Sequence, residues 1–389
     1  MSESKPSVLV MGYIVRGPLG GMAWSDLQYL SSLKAAGHAV YYVEDSDDYP
    51  SCYDPTTNET TADPTYGLSF ASEALAKIGM EGHWSYRDAH QDDWHGPLAS
   101  LGIEVFGRAD VLLNLAGVNP LREWAMDIPL RVLVDQDPAF TQIRNLTDPA
   151  RAAFTKQHNA FATFAENIGT SECSVPDDGI PWRPTRQPVM VDGFPISDPP
   201  REGRFTTVMQ WESYSGVEHD GRHYGMKSLA FEDYLSLPSQ TDVDFEIALG
   251  APGPVRSRLE EAGWTTIDPR GVTRTPDTYE AFIRGSKGEF GIAKHGYVVT
   301  NSGWFSERSL AYMVNARPVV IQDTGFSRHV PVGEGVMPFT SPAEALDALE
   351  TVAGDERHHG LAARAVVAEH FEGRAVVAEL LDNAGRPRF

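Results

Sequence analysis

The chain has 389 residues and a formal net charge of −22, with 54 acidic and 32 basic side chains, and this length fits two domains. Hydrophobic and charged fractions of 41% and 22% exclude a wholly disordered chain, and two cysteines, Cys52 and Cys173, exclude a disulfide framework or a thiolate zinc site. Because phosphate backbones repel a strongly acidic protein, we expect no nucleic-acid partner.

The N-terminal part predicts a strand, a glycine-rich loop, a helix and a second strand. Residues 8–11 are a short apolar run, and the glycine-rich turn follows at 16–21. Residues 39–43 predict the next strand, after a helix that ends at Gly37. That helix is indicated by apolar residues at a spacing of three, namely Trp24, Leu27, Leu30 and Leu33. This order is typical of the opening of a doubly wound parallel sheet.

The rest of the first half predicts further buried strands. Residues 47–68 are polar and aperiodic, and we expect an exposed excursion there. Residues 109–116 and 131–135 predict two strands, and Asp135 and Asp137 close the second. Ligands of open α/β sheets lie at such carboxyl ends of strands.

The segment 193–204, rich in proline and glycine, predicts a linker between a first domain, 1–198, and a second domain, 199–389. The second domain repeats the alternating pattern. Its predicted strands are 205–211, 245–249, 297–300 and 318–321, and its predicted helices are 257–262, 278–284, 306–315, 343–352 and 355–383. Two similar α/β halves joined by one linker form a cleft between their sheets.

Residues 296–325 predict a strand, a polar loop, a helix, a second strand and a second polar loop. The helix begins near Ser306, after Gly303, and free N–H groups with the positive end of the helix dipole favour an anion there. Arg308 in the first turn is unfavourable for the dipole unless an anion is bound. Ser306 as a simple N-cap is the alternative.

This segment resembles the donor-binding half of GT-B glycosyltransferases. The resemblance is clear over 296–389, including 333–336 and 341–349, and looser elsewhere. It implies an α/β fold of two Rossmann-like domains facing across a cleft, with the C-terminal helix packing back on the N-terminal domain. It also implies an acceptor bound by the first domain, a nucleotide sugar bound by the second as co-substrate, and no further cofactor and no metal.

The chain departs from this family at several positions. The glutamate that binds the ribose in many such enzymes would be residue 311, which is alanine here. Glu307, one turn earlier, either serves the ribose or is simply a favourable carboxylate at a helix N-terminus. The paired glutamates of a large retaining group and the histidine after the first strand of inverting enzymes are both absent, so the stereochemical outcome stays open.

The resemblance implies a set of residues for the donor. Lys227, after the first strand of the second half, is the candidate clamp for the diphosphate. The charged segment 286–294 would approach the nucleotide, with a solvated charged turn as the alternative. The donor-binding candidates are Gly20, Gly21, Lys227, Glu289, Lys294, Ser302, Gly303, Ser306, Glu307, Arg308, Asp323, Thr324 and Gly325.

Asp137 and Asp135 are the candidates for catalysis, because a carboxylate at the cleft can deprotonate an attacking hydroxyl. The alternative for Asp137, which precedes Pro138, is the start of a turn or helix. The candidates for the acceptor are Tyr13, Trp24, Trp182 and Arg186, and the alternative for the tryptophans is plain packing.

We therefore expect a glycosyltransferase that moves a sugar from a nucleotide sugar to a small soluble acceptor, such as a natural product or a sugar derivative. The alternatives are a nucleotide-sugar epimerase of the same fold and a catalytically silent partner protein. Because the sequence contains neither a signal-peptide pattern nor an apolar run of membrane-spanning length, we expect a cytoplasmic protein with no membrane partner.

Overall fold

The computed structural model of the protein describes residues 5–385. In its first half, strands alternate with helices as the sequence pattern predicts. The strands are β1 (Val8–Met11), β2 (Val40–Asp45), β3 (Cys52–Asp54), β4 (Glu59–Thr61), β5 (Trp84–Asp88), β6 (Asp93–His95), β7 (Val111–Leu115), β8 (Leu130–Asp135), β9 (Ala160–Thr163) and β10 (Arg183–Pro184). The helices are α1 (Gly20–Ala35), α2 (Thr65–Ala76), α3 (Phe140–Thr147) and α4 (Pro149–Thr155), with 3₁₀ segments at Ala99–Arg108, Glu123–Ala125 and Val191–Gly193.

The first sheet has eight strands in the order β10-β9-β8-β7-β1-β2-β5-β6, and only the β5–β6 pair is antiparallel. Strands β1 and β7 are buried along their whole length, as expected where helices cover both faces of a parallel sheet. The strand order reverses between β1 and β7, so their carboxyl ends open into a crevice.

The second half contains a second parallel sheet. Its strands are β11 (Phe205–Gln210), β12 (Val217–His219), β13 (Arg222–Tyr224), β14 (Phe245–Gly250), β15 (Thr265–Ile267), β16 (Gly288–Gly291), β17 (Val319–Gln322) and β18 (Val336–Phe339). Its helices are α5 (Lys227–Phe231), α6 (Gly253–Glu261), α7 (Pro269–Val272), α8 (Pro276–Arg284), α9 (His295–Val299), α10 (Glu307–Val314), α11 (Pro342–Gly354), α12 (Glu356–His370) and α13 (Gly373–Gly385), and short 3₁₀ segments lie at Glu232–Tyr234, Leu237–Ser239 and Phe326–Arg328. The sheet order is β15-β14-β11-β16-β17-β18, with a reversal between β11 and β16.

The predicted strand at 297–300 is wrong, because these residues lie at the end of helix α9 and after it. The strand is β16, inside the segment 286–294, for which a solvated charged turn was the alternative. Glu289 sits in this strand with no exposed surface, and Arg308 neutralises it. A Cβ on Gly288 would lie 2.8 Å from the carbonyl oxygen of Pro318, so the glycine allows β16 to pack closely on its neighbours. The sequence did not predict this strand because it contains a charged residue, Glu289, and two glycines, Gly288 and Gly291.

Two other expectations need revision. The predicted excursion at 47–68 holds the antiparallel hairpin β3–β4 and the start of α2, although β4 is fully exposed. The predicted helix at 355–383 is two helices, α12 and α13, which are separated at Phe371 and Glu372. No helix within residues 5–385 combines the length and apolar character that crossing a bilayer requires.

Helix α13 packs on the first domain, as predicted. Val377 and Leu380 belong to the same apolar cluster as Leu30 and Leu33 of α1. A Cβ on Gly373 would overlap with the hydroxyl of Ser32, so this glycine allows α13 to start against α1. The last helix therefore packs with the first sheet, although it comes at the end of the chain. For the residues before it, the domain boundary between 198 and 199 stays a prediction.

Candidate active site in the cleft between the sheets

Asp137 stands where the carboxyl edges of the two sheets meet. It follows β8, and its carboxylate accepts hydrogen bonds from Lys294 Nζ (2.8 Å), Tyr297 Oη (2.5 Å) and Tyr214 Oη. Tyr214 follows β11 and Lys294 follows β16, the two strands between which the second sheet reverses. Topology alone therefore brings these side chains to one point.

The charge of Asp137 is stabilised from both domains. Burial would raise the pKa of its carboxyl group, but the charges of Lys294 and Arg144 outweigh burial, and the pKa lies below its ordinary value. Arg144 Nη1 lies 3.3 Å from Asp137 Oδ2. Asp137 is thus ionised at neutral pH, and it can act as a base only if a substrate hydroxyl replaces one of its protein donors.

Asp135 is held entirely by its own domain. It is 2% exposed, and its carboxylate accepts hydrogen bonds from Thr141 Oγ1, Gln142 Nε2, Thr163 Oγ1 and the backbone N–H of Asp137. Burial raises the pKa of its carboxyl group. These contacts favour a role in positioning the Asp137 loop over direct catalysis.

Three cationic side chains converge beside this point. Lys227, the first residue of α5, interacts electrostatically with Arg308 and Lys294, and burial together with these charges holds its pKa well below the usual range. Arg308 pairs with Glu289 at 2.5 Å, and Lys294 pairs with Asp137. In the part of the chain that the structure describes, Lys227 has neither an ion pair nor a side-chain hydrogen bond.

The start of α10 adds unpaired donors to the same place. Its N-cap, Ser306, makes no capping hydrogen bond with its side chain. Ser309 Oγ and Trp304 Nε1 are buried without a hydrogen-bond partner among the described residues. Ser306, Arg308, Ser309 and Trp304 line one small depression. Buried donors of this kind normally have an acceptor, so the arrangement suits a bound anion or an ordered water.

Glu307 turns toward the first domain. Its Oε1 accepts a hydrogen bond from Ser25 Oγ at 3.2 Å. Burial raises the pKa of Glu307 to about 7, and it does the same for Asp26 on α1, which accepts a hydrogen bond from the backbone N–H of Tyr13. This contact leaves the predicted ribose-binding role of Glu307 without support from the geometry.

The glycines of the first loop approach the second domain rather than an open ligand site. Gly20 donates its N–H to the carbonyl oxygen of Thr273 at 2.6 Å, and a Cβ on Gly20 would overlap with the carbonyl oxygen of Thr275. A Cβ on Gly21 would lie 3.2 Å from the ring of Tyr279. The space beside Gly20 and Gly21, which we predicted for a donor, is therefore taken by atoms of the second domain.

Asn167 follows β9 in the first domain and meets a loop of the second domain. Its N–H donates to the carbonyl oxygen of Ser302 at 3.0 Å, and its Nδ2 donates to the carbonyl oxygen of Asn301 at 2.9 Å. A Cβ on Gly303 would lie 2.8 Å from Asn167 N, and one on Gly325 would overlap with the side chains of Asn301 and Asn167. Ser302, Gly303 and Gly325 therefore form part of an interdomain junction.

Asp323 and Thr324 complete this junction from within the second domain. Asp323 Oδ1 accepts the N–H of Gly325 at 2.8 Å, and Asp323 Oδ2 accepts the hydroxyl of Ser327 at 2.6 Å. Thr324 Oγ1 donates to the carbonyl oxygen of Trp304 at 2.5 Å. Both side chains thus fix loop geometry, and the structure assigns neither a contact to a donor.

Three of the four predicted acceptor residues have protein partners other than Asp137. Trp24 is 5% exposed and packs near Phe194. Trp182 donates to Asp178, and Arg186 forms a two-pronged ion pair with Glu166. Packing and ion pairing account for these side chains without an acceptor. Tyr13 is half-buried in the loop after β1, with its ring 4.8 Å from the guanidinium of Arg16.

Sequence reasoning missed Tyr214, Tyr297 and Arg144. Tyr214 comes three residues after the predicted strand 205–211, so its place after a strand could have suggested a cleft residue. Tyr297 was assigned to a strand that does not exist, and this hid the start of α9. Arg144 is the fifth residue of α3 and carries no recognisable motif.

The histidines of the β12–β13 hairpin are paired with local carboxylates. His223 Nδ1 lies 2.6 Å from Glu218 Oε1, and His219 Nε2 lies 3.5 Å from Asp220 Oδ2. Over residues 5–385, no group of three or more histidine, cysteine or carboxylate side chains could hold a metal ion. That the reaction requires no metal stays a prediction.

No protein-family model and no curated protein match the chain, but solved structures match it along nearly its whole length. An α-glucosyltransferase in complex with UDP and a 13-mer DNA with a central A:G mismatch has a TM-score of 0.59 at 10% identity, covering 98% of this chain and 100% of that one. Anabaena Alr3699/HepE in complex with UDP and glucose has a TM-score of 0.54 at 10% identity, with 97% and 100% covered. AviGT4, a glycosyltransferase involved in avilamycin A biosynthesis, has a TM-score of 0.50 at 12% identity, with 98% and 97% covered.

The chain therefore has the GT-B glycosyltransferase fold, and the predicted fold class of two Rossmann-like domains across a cleft is confirmed. Identities of 10–12% establish this fold alone. What the matching proteins bind is a property of those proteins.

The prediction that nucleic acid is excluded as a partner is contradicted. Four matching structures are α-glucosyltransferases in complexes with DNA. The prediction failed because the net charge of −22 is a property of the whole chain. Local charge at the cleft decides which anions bind there, and the basic side chains of Lys227, Lys294 and Arg308 lie close together in that region.

Proposed function

We propose that this protein transfers a glycosyl group from a nucleoside diphosphate sugar to an acceptor bound in the cleft. The second domain would hold the diphosphate and the first domain the acceptor. This division follows the two clusters described above, the cations beside α10 and the carboxylate after β8.

The cation cluster carries this proposal. Asp137 pairs with Lys294 and Glu289 pairs with Arg308, whereas Lys227 has no ion pair among the described residues. Burial and the nearby charges of Arg308 and Lys294 hold the pKa of Lys227 well below its usual range. A diphosphate placed among these three side chains would stabilise the protonated form of Lys227 and pair with it. Fixed cations and a helix N-terminus would also stabilise the diphosphate as it leaves, which is where charge develops during glycosyl transfer.

Asp137 is our candidate for the group that activates the acceptor. The acceptor hydroxyl would take the place of one tyrosine hydroxyl on the carboxylate and pass its proton to Asp137 as it attacks the sugar. The bond from the sugar to the diphosphate breaks as the new glycosidic bond forms. Lys294 pairs with Asp137 and lies beside Lys227, so it would contact both the group that takes the proton and the side chains that hold the diphosphate.

Product analysis with a panel of nucleotide sugars tests the proposal. A transferase releases the nucleoside diphosphate and joins the sugar to an acceptor or, slowly, to water. An epimerase of the same fold would instead give a sugar of altered configuration. A silent partner protein would release no nucleoside diphosphate from any donor, and that result would contradict the proposal.

A further inference from the structure

A cavity in the first domain also borders Asp137. It has a volume of about 220 Å³ and opens at the carboxyl ends of β7 and β8, between the loop at 116–118 and helices α3 and α4. Asp137, Arg144, Arg151 and Phe154 are among its lining residues. The cavity therefore shares one wall with the candidate active site.

The two arginines give this cavity cationic character. Arg151 is exposed and, among the described residues, it has no ion pair and no side-chain hydrogen bond, and its guanidinium lies 5.7 Å from the centre of the Phe154 ring. The guanidinium of Arg144 lies 4.5 Å from the centre of the Tyr214 ring, and its Nη1 donates one hydrogen bond to Asp137 Oδ2 at 3.3 Å. Both arginines line the cavity, and among the described residues each guanidinium retains N–H donors without an acceptor.

The carboxylates in the cavity wall are already occupied. Asp137 is bonded to Lys294 and to two tyrosine hydroxyls, and Asp135 accepts four hydrogen bonds from its own domain. Neither leaves an oxygen that would neutralise Arg151. An anion is the ligand that completes this arrangement, because arginine pairs with phosphate or carboxylate through two parallel hydrogen bonds.

We propose that the acceptor carries an anionic group, a phosphate or carboxylate, which is held between Arg144 and Arg151 while a hydroxyl of the same acceptor points to Asp137. Phe154 would cover an apolar or sugar face of the acceptor. The inference rests on the proposed function, because it names the substrate class of the first-domain side of that cleft. The anion belongs either to a small molecule or to a nucleic-acid strand, and both sources present the same chemistry to the arginines.

Titration calorimetry with three probes tests this assignment: glucose 6-phosphate, glucose, and a short DNA oligonucleotide. We expect at least one anionic probe to bind at least about tenfold more tightly than glucose, and Arg151→Gln to remove most of that difference. Lys156→Gln is the matched control, because it removes one positive charge from an exposed residue just after α4 that does not line the cavity. Arg151→Lys should recover part of the loss.

The result that overturns the inference is equal affinity for anionic and neutral probes, or equal loss in Arg151→Gln and Lys156→Gln. Selective, Arg151-dependent binding of the oligonucleotide would support the anion site and assign its source to a strand; selective binding of glucose 6-phosphate would assign it to a small molecule. Binding of nucleoside diphosphate, measured on the same samples, reports separately on the proposed function, because the second domain supplies that site.

Discussion

At the scale of single residues, the charged side chains of the cleft differ in how well their charges are compensated. Asp137 accepts hydrogen bonds from three side-chain donors, Lys294, Tyr297 and Tyr214, whereas Lys227 makes no side-chain hydrogen bond within the described residues. Asp26 and Glu307 are carboxyl groups whose pKa burial raises to about 7. Each of these environments has a measurable consequence.

Asp137→Asn tests the role of the carboxylate in transfer. Asparagine keeps the size of the side chain but cannot accept a proton at neutral pH, so we expect kcat to fall by about 10²-fold or more while affinity for nucleoside diphosphate changes little. Because the pKa of Asp137 is lowered, wild-type turnover should not lose this carboxylate until the pH is below about 4. Near-normal kcat with weaker donor binding would contradict a catalytic role and would show that Asp137 only positions Lys294.

Asp26→Asn tests the raised pKa through stability. The unfolded carboxyl group titrates near 3.8 and the folded one near 7, so the folded state holds the proton more tightly. Stability from this group is complete below about pH 4 and is lost as the pH rises to about 7, by roughly 1.4 kcal/mol per pH unit. The asparagine side chain mimics the protonated acid, so the variant should be more stable than wild type at pH 8 and similar at pH 4. Denaturant unfolding at both values measures this, and parallel pH profiles for the two proteins would refute the raised pKa.

At the scale of elements, loops between strands and helices connect the domains. The β1–α1 loop meets Thr273 and Thr275 ahead of α8, and the segment after β9 meets the loop before α10 through Asn167. These contacts explain why several glycines stand where the family resemblance predicted ligand contacts. The loops are therefore parts of a joint between the two sheets.

Gly20→Ala tests that joint. The added methyl group would overlap with the carbonyl oxygen of Thr275, and backbone cannot move away as easily as a side chain, so we expect a loss of about 1–3 kcal/mol in unfolding free energy. Gly21→Ala is the matched control, since its methyl group would meet only the ring of Tyr279 at 3.2 Å. Equal stability of the two variants in urea unfolding would show that the close approach at Gly20 is not required.

Helices and strands were predictable from the sequence where their apolar residues form a continuous run or recur at one regular spacing. Strand β8 and helix α1 follow from runs such as 131–135 and from the spacing of Leu27, Leu30 and Leu33. Strand β16 was not predictable, because Glu289 is buried only on account of Arg308, which is distant in the sequence. The meeting of Asn167 with Gly303 is likewise a contact between domains that no local pattern encodes.

At the scale of the whole molecule, the C-terminal helix returns to the first domain. The chain runs from the first sheet to the second and returns through α13, whose Val377 and Leu380 pack in the core of the first domain. Ion pairs also span the cleft, including Lys77 with Asp277 and Lys294 with Asp137. The cleft is therefore formed by two sheets that the last helix holds together.

Leu380→Ala tests this packing of α13. Leu380 is 2% exposed, so truncation should lower the free energy of unfolding by about 2–5 kcal/mol. Leu361→Ala on α12, where the side chain is 37% exposed, is the control and should change stability by no more than about 0.5 kcal/mol. Urea unfolding followed by tryptophan fluorescence measures both, and a Leu380 variant as stable as its control would mean that α13 does not fasten the first domain.

The central claim is that the cations beside α10 hold a diphosphate, and calorimetric titration with UDP and with uridine tests it most directly. Matching structures contain UDP, which makes it the first probe, and the other nucleoside diphosphates with their nucleosides follow. We expect one nucleoside diphosphate to bind at least about tenfold more tightly than its nucleoside, with Lys227→Gln and Arg308→Ala each removing most of that difference and Lys156→Gln preserving it. Equal affinity for nucleoside and nucleoside diphosphate across the series, or the same loss for both ligands in the Lys227 and Arg308 variants, would contradict the assignment.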